Sequence, residues 1–571
     1  MNEQVHKPAR SFRIAVVLVV VLLVPVGLVL RAFDLHIVDH DFLQGQGNAR
    51  VLRTLPVSAH RGMIVDRHGE PLAVSTPVDT VWADPQKFEA SHAQLQRLAK
   101  ILDLNARDLN KLIKQYKSQD KEFVFIKRRI NPTLAQQAMN LKIVGLYTKR
   151  EYRRYYPSGE VMAHLVGFTN VDDNGQEGVE LAFDKSLHGV EGSQLVMIDS
   201  IGRVIKTVET LKRPRPGTDL VLSVDRRLQY LAYRELKRAV FQHKAKSGSA
   251  VILDVKTGEV LAMVNQPSFN PNNRDDLKGY LYRNRVVTDT FEPGSTVKPF
   301  TIAAALESGL FKPSTIINTS PGYLMVGHNT IRDEHNYGRL NLLQIIQKSS
   351  NVGASKIALT INPELLLHVH EHVGFGEITG SGLPGEVAGT LHTPRVWRDI
   401  ERATLSYGYG LAVTNLQLAR AYCVLASGGY LKPVSVQLQS GPVQGERVIP
   451  ARITHEIIKM LQAVVEPGGT GTRAEVPGYS VAGKTGTVHK VGRHGYDENR
   501  YTSVFVGMAP ASNPRLVMAV TINDPQGDYF GGLVAAPVFG AVMAGAMRLL
   551  DIPPDKMPAK PVNFAMLGGP Q

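Results

Sequence analysis

Seventeen consecutive uncharged residues, IAVVLVVVLLVPVGLVL from Ile14 to Leu30, constrain this chain before anything else does. As a helix, that run with Phe12 and its flanks is long enough to cross a hydrocarbon core of roughly 30 Å. Lys7, Arg10 and Arg13 precede it, RAFDLHIVDHDF follows, and no AxA-like cleavage pattern intervenes. The stretch reads as an uncleaved signal anchor rather than a removable signal peptide. The basic flank then sets the orientation: 1–13 in the cytosol, 14–31 across the membrane, and everything after residue 31 outside the cytosol. The competing reading is a buried helix of a soluble protein. No later segment is expected to approach this length without a charge.

With 571 residues, two or three domains are expected. The one cysteine, Cys423, cannot form an intrachain disulfide, and its apolar helical context makes it a small core residue. A formal charge of +14 invites a nucleic-acid reading, but Lys and Arg are scattered and the chain faces away from the cytosol on this topology. A basic exterior suits anionic lipid or an anionic wall polymer better.

Residues 32–215 mix short strand-like pieces with charged helical ones such as HAQLQRLAKILDLNARDLNKLIKQY. A Pro-rich basic stretch around Pro214 to Gly217 then marks a boundary, and 216–555 reads as a larger second domain. It opens with SGSAVILDVKTGEVLAMVNQ, apolar alternation on both sides of Lys256-Thr257-Gly258, which predicts an antiparallel hairpin. Helical periodicity fills the middle. GYSVAGKTGTV, YTSVFVGMAP and LVMAVTINDP give three more strands before the apolar helix AAPVFGAVMAGAMRLLDIPP. Strands at both ends with helices between predict an α+β fold, an antiparallel sheet covered by helices. Residues 556–571 read as a loosely ordered tail.

Three motifs carry chemistry. In FEPGSTVKPF, Ser295 and Lys298 stand three apart where a loop becomes a helix, on one face, with β-carbons about 5 to 6 Å apart. A lysine whose pKa is lowered by burial or by another cation can take the proton of such a serine. A helix N-terminus also aims N–H groups at a developing oxyanion. Alone, that spacing is weak evidence and most often a solvated helix face. Downstream, QKSSNVGASK offers Ser349, Ser350 and Asn351, a hydroxyl to relay a proton and an amide to hold a peptide carbonyl. VAGKTGTVHKV offers Lys484, Thr485, Gly486 and Thr487 on a strand: positive charge, a glycine for close backbone approach, and a hydroxyl for a carboxylate. SxxK, SxN and KTG in that order form the signature of the penicillin-recognising serine acyltransferases.

The chain resembles the class B penicillin-binding proteins over roughly residues 10 to 555. RGMIVDRHGEPLA from Arg61, YRRYYPSGEVMAHLVGF and GQEGVELAFDKSLHG look like boxes of that class, and glycosyltransferase motifs of the bifunctional class A are not apparent. FEPGSTVKPF, QKSSNVGASK and SYGYGLAVTNLQLARAY look like its division-specific members. The resemblance implies a membrane-anchored, non-catalytic pedestal (dimerisation-type) domain below a transpeptidase domain that cross-links septal peptidoglycan, with no metal or organic cofactor. It further implies that Ser295 attacks the penultimate D-alanine carbonyl of a donor stem peptide with Lys298 as general base. Ser349 would shuttle protons, Asn351 act as amide ligand, and Lys484 tune the site and, with Thr485 and Thr487, hold the terminal carboxylate. Backbone N–H groups of Ser295 and Thr487 would form the oxyanion hole. β-Lactams would acylate Ser295. A SEDS-family polymerase and other division proteins are the implied partners.

Other residues carry less. His368 and His372 in LLLHVHEHVGFG have a zinc-compatible spacing but no third ligand, and Glu364 reads as helix-start stabilisation rather than a deacylating base. Tyr407, Tyr409, Tyr529 and Phe530 read as core packing by default; the resemblance gives Tyr409, Tyr529 and Phe530 a place in the wall of the donor pocket. Val488-His489 after KTGT departs from the family wording and bears on drug preference. Two other functions compete: a D,D-carboxypeptidase or β-lactamase-like hydrolase, in which water accepts the acyl group, and a non-catalytic division scaffold or β-lactam sensor. The missing deacylation glutamate argues against the first. The intact site residues argue against the second.

Overall fold

The computed structural model describes residues 9–199, 204–274, 278–492 and 495–556. Lys7 of the basic flank and 557–571 of the expected tail lie outside the described residues. An apolar helix, α1 (Ala9–Phe33), covers the N-terminal run, and its continuous span Phe12–Val38 has no buried part. By length and composition it is able to cross a membrane. The expectation that no later stretch matches it fails: 531–547 is also free of charged side chains. That second run lies mostly buried among other elements, so its apolar character is that of a core helix.

The chain divides into two compact units. One comprises 1–60, 77–153 and 189–216. Its core gathers Val81, Leu98, Leu109, Ile113, Ile126 and Leu146 from strand residues 77–83, Val124–Ile130 and Leu146–Tyr155 and from helices His92–Ile101 and Ala106–Ser118. The break between those helices is set by Asn105, whose side chain accepts from Arg107 and Asp108 N–H and caps the second helix. A separate antiparallel sheet in this unit pairs Leu52–Val57 with Gly192–Ile198 and the latter with Val204–Lys212.

The other unit comprises 61–76, 154–188 and 217–571. Its centre is a five-stranded antiparallel sheet of β1 (Ser247–Asp254), β2 (Val260–Gln266), β3 (Ala482–Gly492), β4 (Gly495–Ala509) and β5 (Leu516–Asn523), in the order β2-β1-β5-β4-β3. The expected hairpin forms with Ala250 opposite Val264. Successive side chains on a strand point to opposite faces, and here both faces are covered. Ala250, Ile252, Phe505, Met518 and Val520 pack with Leu228 and Leu236 of α2 (Arg226–Gln242) and with buried residues of 536–549. Val251, Leu253, Val504, Val506 and Ala519 pack instead with α3 (Lys298–Glu307), α4 (Asn415–Ala426) and α5 (Ala451–Val465). The result is an α+β sandwich with an antiparallel sheet between helical layers, and β3 with KTG at its edge.

Candidate active site

The first motif sits on a tight turn. Ser295 belongs to a 3-10 segment, Gly294–Val297, and α3 begins only at Lys298. In that geometry residues three apart eclipse one another, so Ser295 and Lys298 share a face as the spacing predicts. The turn is clamped from several sides. Buried Tyr422 donates to Thr296 O at 2.8 Å, Thr296 Oγ1 donates to Pro293 O at 2.7 Å, and Gly294 N donates to Gly408 O at 3.1 Å. Gly408 has φ +90°, and a Cβ there would stand 2.1 Å from Gly294 O, so the SYGYG loop needs glycine to seat the serine turn. A Cβ on Gly486 would lie 3.0 Å from both Pro293 O and Thr296 Cγ2. The KTG glycine thus also permits β3 to press against the serine turn.

The second motif lies where two helices meet. Ser349 ends helix Leu342–Lys348 in the left-handed conformation, φ +60°. Ser350 starts helix Asn351–Thr360, its hydroxyl accepting from Gly353 N at 2.9 Å while donating to Asp333 Oδ2 at 2.6 Å. Asp333 Oδ1 accepts from the N–H groups of Asn351 (2.5 Å) and Val352 (3.0 Å). Asp333 therefore caps the helix and holds Ser349 and Asn351 in register. Sequence reasoning missed this residue because it stands 16 positions upstream with no motif around it.

Both lysines converge on Ser349. Lys298 Nζ donates to Asn351 Oδ1 at 2.7 Å, to Ser349 Oγ at 3.3 Å, and to the Ser349 carbonyl. Lys484 Nζ donates to Ser349 Oγ at 2.9 Å and to Thr485 O at 3.2 Å. Among the described residues Ser295 Oγ makes no hydrogen bond. The expected Ser295–Lys298 contact is thus replaced by a Lys298–Ser349–Lys484 relay beside the free hydroxyl. Both ammonium groups are fully buried. Burial first, then repulsion from Lys484, pulls Lys298 well below the usual lysine range, against the opposing pull of Asp333 and Glu334. Burial pushes Lys484 down to about 7, with Glu334 acting in the opposite sense. A lysine lowered in this way is a base near neutral pH. Ser349 Oγ accepts from both amines with its two lone pairs and keeps its own proton to donate.

These groups border a cleft of about 610 Å³ that holds Ser295, Ser349, Asn351, Thr485 and Thr487. Thr487 Oγ1 accepts from Gly531 N at 2.9 Å, which leaves its O–H to donate into the cleft. Thr485 Oγ1 lies 2.7 Å from Thr470 Oγ1, another lining residue without a sequence signal. Tyr409, Tyr529 and Phe530 also line the cleft. Tyr529 stacks on Tyr501 with centroids 4.0 Å apart and planes 10° from parallel, and Phe530 adjoins Tyr529 at 4.6 Å. Tyr407 instead packs against Val326, Ile331 and Ala403. His489 follows KTGTV into the lining and contacts Tyr501 at 4.6 Å.

The remaining candidates lie apart from this arrangement. The His368 and His372 rings lie 3.7 Å apart with planes tilted by 41°, and among the described residues no group of three His, Cys, Asp or Glu side chains is placed to hold a metal ion. Glu364 occupies the first turn of helix Pro363–His372 and does not line the cleft. Cys423 is buried and burial raises its thiol pKa.

Comparison with known proteins adds family and ancestry. Residues 248–544 match the family described as penicillin binding protein transpeptidase domain, and 56–222 match the penicillin-binding protein dimerisation domain. Peptidoglycan D,D-transpeptidase FtsI of Escherichia coli (strain K12) is 45% identical over 563 residues, 97% of this chain and 95% of the relative. The probable peptidoglycan D,D-transpeptidase PbpC of Pseudomonas aeruginosa is 42% identical over 553 residues, 97% and 98% of the two chains. Among solved structures, the transpeptidase domain of Burkholderia pseudomallei penicillin-binding protein 3 is 44% identical with a TM-score of 0.55. It covers 59% of this chain and 98% of its own. Penicillin-binding protein 3 from Mycobacterium tuberculosis, in complex with aztreonam, is 27% identical with a TM-score of 0.67 over 88% and 98% of the chains.

Proposed function

The chain belongs to the class B penicillin-binding proteins as a peptidoglycan D,D-transpeptidase, and from that premise we propose that Ser295 is its nucleophile and septal cross-linking its task. Lys298 takes the Ser295 proton as Oγ attacks the penultimate D-alanine carbonyl of a donor stem peptide. The C–N bond to the terminal D-alanine breaks, and Ser349 passes a proton to the leaving amine. An ester at Ser295 remains. A second stem peptide's amine then attacks it, forming the cross-linking amide and returning the proton to Ser295 Oγ.

Lys484, Thr485 and Thr487 hold the donor's terminal carboxylate. Backbone N–H groups of Ser295 and Thr487 stabilise the oxyanion, and Tyr409, Tyr529 and Phe530 wall the donor side. Gly486 gives the donor backbone close approach to the edge of β3. No cofactor takes part. The observation that carries this reading is the convergence of two buried, pKa-lowered lysines on Ser349 in the cleft that holds Ser295. β-Lactams enter the same cycle as donor mimics and leave Ser295 acylated.

The same reading puts 1–13 in the cytosol, 14–31 across the inner membrane, and 32–215 and 216–555 on the periplasmic side as non-catalytic and transpeptidase domains, with 556–571 as a tail. A SEDS-type polymerase and other division proteins are its partners at the septum. Intact mass spectrometry of the detergent-solubilised full chain after incubation with a penicillin, beside Ser295→Ala, tests the core of it. A single stable adduct on Ser295, absent from the variant, is expected. Drug destroyed without an adduct would point to a hydrolase, and drug intact without an adduct to a scaffold.

A further inference from the structure

The cleft contains one anion with nothing to hold. Of its two carboxylates, Asp333 is fully engaged, accepting from Ser350, Asn351 and Val352. Glu334 is exposed, lines the same cleft as Ser295 and, among the described residues, makes no hydrogen bond or ion pair. The cations nearby are committed elsewhere. Lys348 Nζ donates to Gly468 O at 2.9 Å, the Arg332 guanidinium lies 5.7 Å over the Tyr323 ring, and Lys298 and Lys484 bond to the second motif. Glu334 nevertheless reaches the reacting centre electrostatically, since its charge opposes the lowering of both buried lysines and helps raise Tyr337.

The two reactants differ in what they bring to such a group. The donor presents a carboxylate at its reacting end, which Glu334 repels and the Lys484 side attracts. The acceptor presents a primary amine, which arrives in water as an ammonium ion. We infer that Glu334 is the acceptor subsite of the cleft, holding the ammonium of the incoming stem peptide beside the Ser295 ester. This rests on the Ser295 reading above.

The bound ammonium loses one proton to water, the neutral nitrogen attacks the ester carbonyl, and the C–N bond forms as the C–Oγ bond breaks. The second proton passes to Ser295 Oγ. Glu334 takes no part in these proton transfers and acts by raising the local concentration of acceptor at the cost of somewhat harder deprotonation of the bound amine, so its contribution falls on acceptor saturation rather than on the limiting rate.

The test uses the detergent-solubilised full chain, a D-alanyl thioester donor to load Ser295, and two nucleophiles at fixed pH 8. One is the amine of D-alanine, cationic there, and the other hydroxylamine, which is neutral. Partition of the acyl-enzyme between each nucleophile and water cancels any change in the acylation step. Glu334→Gln should raise the half-saturating concentration of the cationic amine about fivefold and leave that of hydroxylamine unchanged, with Glu334→Asp recovering part of the loss. An equal change for both nucleophiles, no change for either, or an effect confined to acylation would overturn the inference while leaving the Ser295 reading intact. Failure of the parent chain to form any acyl-enzyme would overturn both.

Discussion

Of the places where the catalytic unit buries charge, two do so by opposite means. At one, Arg61, Arg154 and Glu180 are almost wholly inaccessible, yet every charge meets its opposite. Arg61 Nε and Arg154 Nε each donate to a Glu180 oxygen at 2.6 Å, and Arg61 Nη1 reaches Asp184 Oδ1 at 2.7 Å. Burial alone would lower Arg61, but Glu180 and Asp184 together raise it. At the other, Lys298 and Lys484 share one hydroxyl, and among the described residues no carboxylate is hydrogen-bonded to either. There burial wins and both lysines fall. Desolvation is costly in both places; compensation decides whether the outcome is a fixed ion pair or a base.

Substitution separates the two regimes. Lys298→Ala is expected to cut the rate of penicillin acylation by about 10³-fold while thermal unfolding stays the same or shifts upward, because a costly buried amine is removed. Stopped-flow acylation and a melting curve on the same sample check both halves; a large loss of stability would mean the lysine is structural. Glu180→Gln should do the reverse. It leaves two buried guanidinium groups short of their counter-charge and should cost about 3–5 kcal/mol in denaturant unfolding, with the acylation rate of the remaining folded protein little changed.

Gly486→Ala tests how closely the cleft is held. A Cβ 3.0 Å from Pro293 O and Thr296 Cγ2 must push the serine turn by a few tenths of an ångström. Acylation should fall roughly 10- to 100-fold, with about 1 kcal/mol lost in stability. Unchanged acylation would show that the turn is softer than its clamps suggest.

A further test is a matter of pH. Lys484 protonates at 10.5 in the unfolded chain and at about 7 when folded, so between those values the unfolded state binds more protons and stability rises with pH. Below about 7 both states are protonated and the burial cost is fully present. Lys484→Met should therefore be the more stable protein at pH 6, with its advantage shrinking toward pH 10 in parallel denaturation curves. A gap independent of pH would refute the lowered pKa.

Much of this was legible along the chain. The hairpin, the KTG strand and the final helix follow from apolar periodicity and turn residues, and Ser295, Lys298, Ser349, Asn351 and Lys484 stand in recognisable motifs. Asp333, Thr470 and Glu334 were not legible, since each acts through partners 15 or more positions away or through a cavity that no local pattern announces. One compact unit gives way to the other between 216 and 217, and 61–76 and 154–188 group with the catalytic unit although they lie far from it along the chain. Their core residues, such as Ile64, Leu72 and Met162, share a cluster with the helices under the sheet.

What the amino-acid order determined by itself is whatever depends on neighbours within a turn or a strand: an apolar helix long enough for a bilayer, strands that alternate between two faces, a serine and a lysine on one face of a turn. Only the tertiary structure decided which hydroxyl the lysines serve. Ser349 lies 51 residues from Lys298 and 135 from Lys484, and it is the packing that brings them together and removes water from both amines. Desolvation is a property of the surroundings in space, so the feature that turns lysine into a base had to wait for the fold.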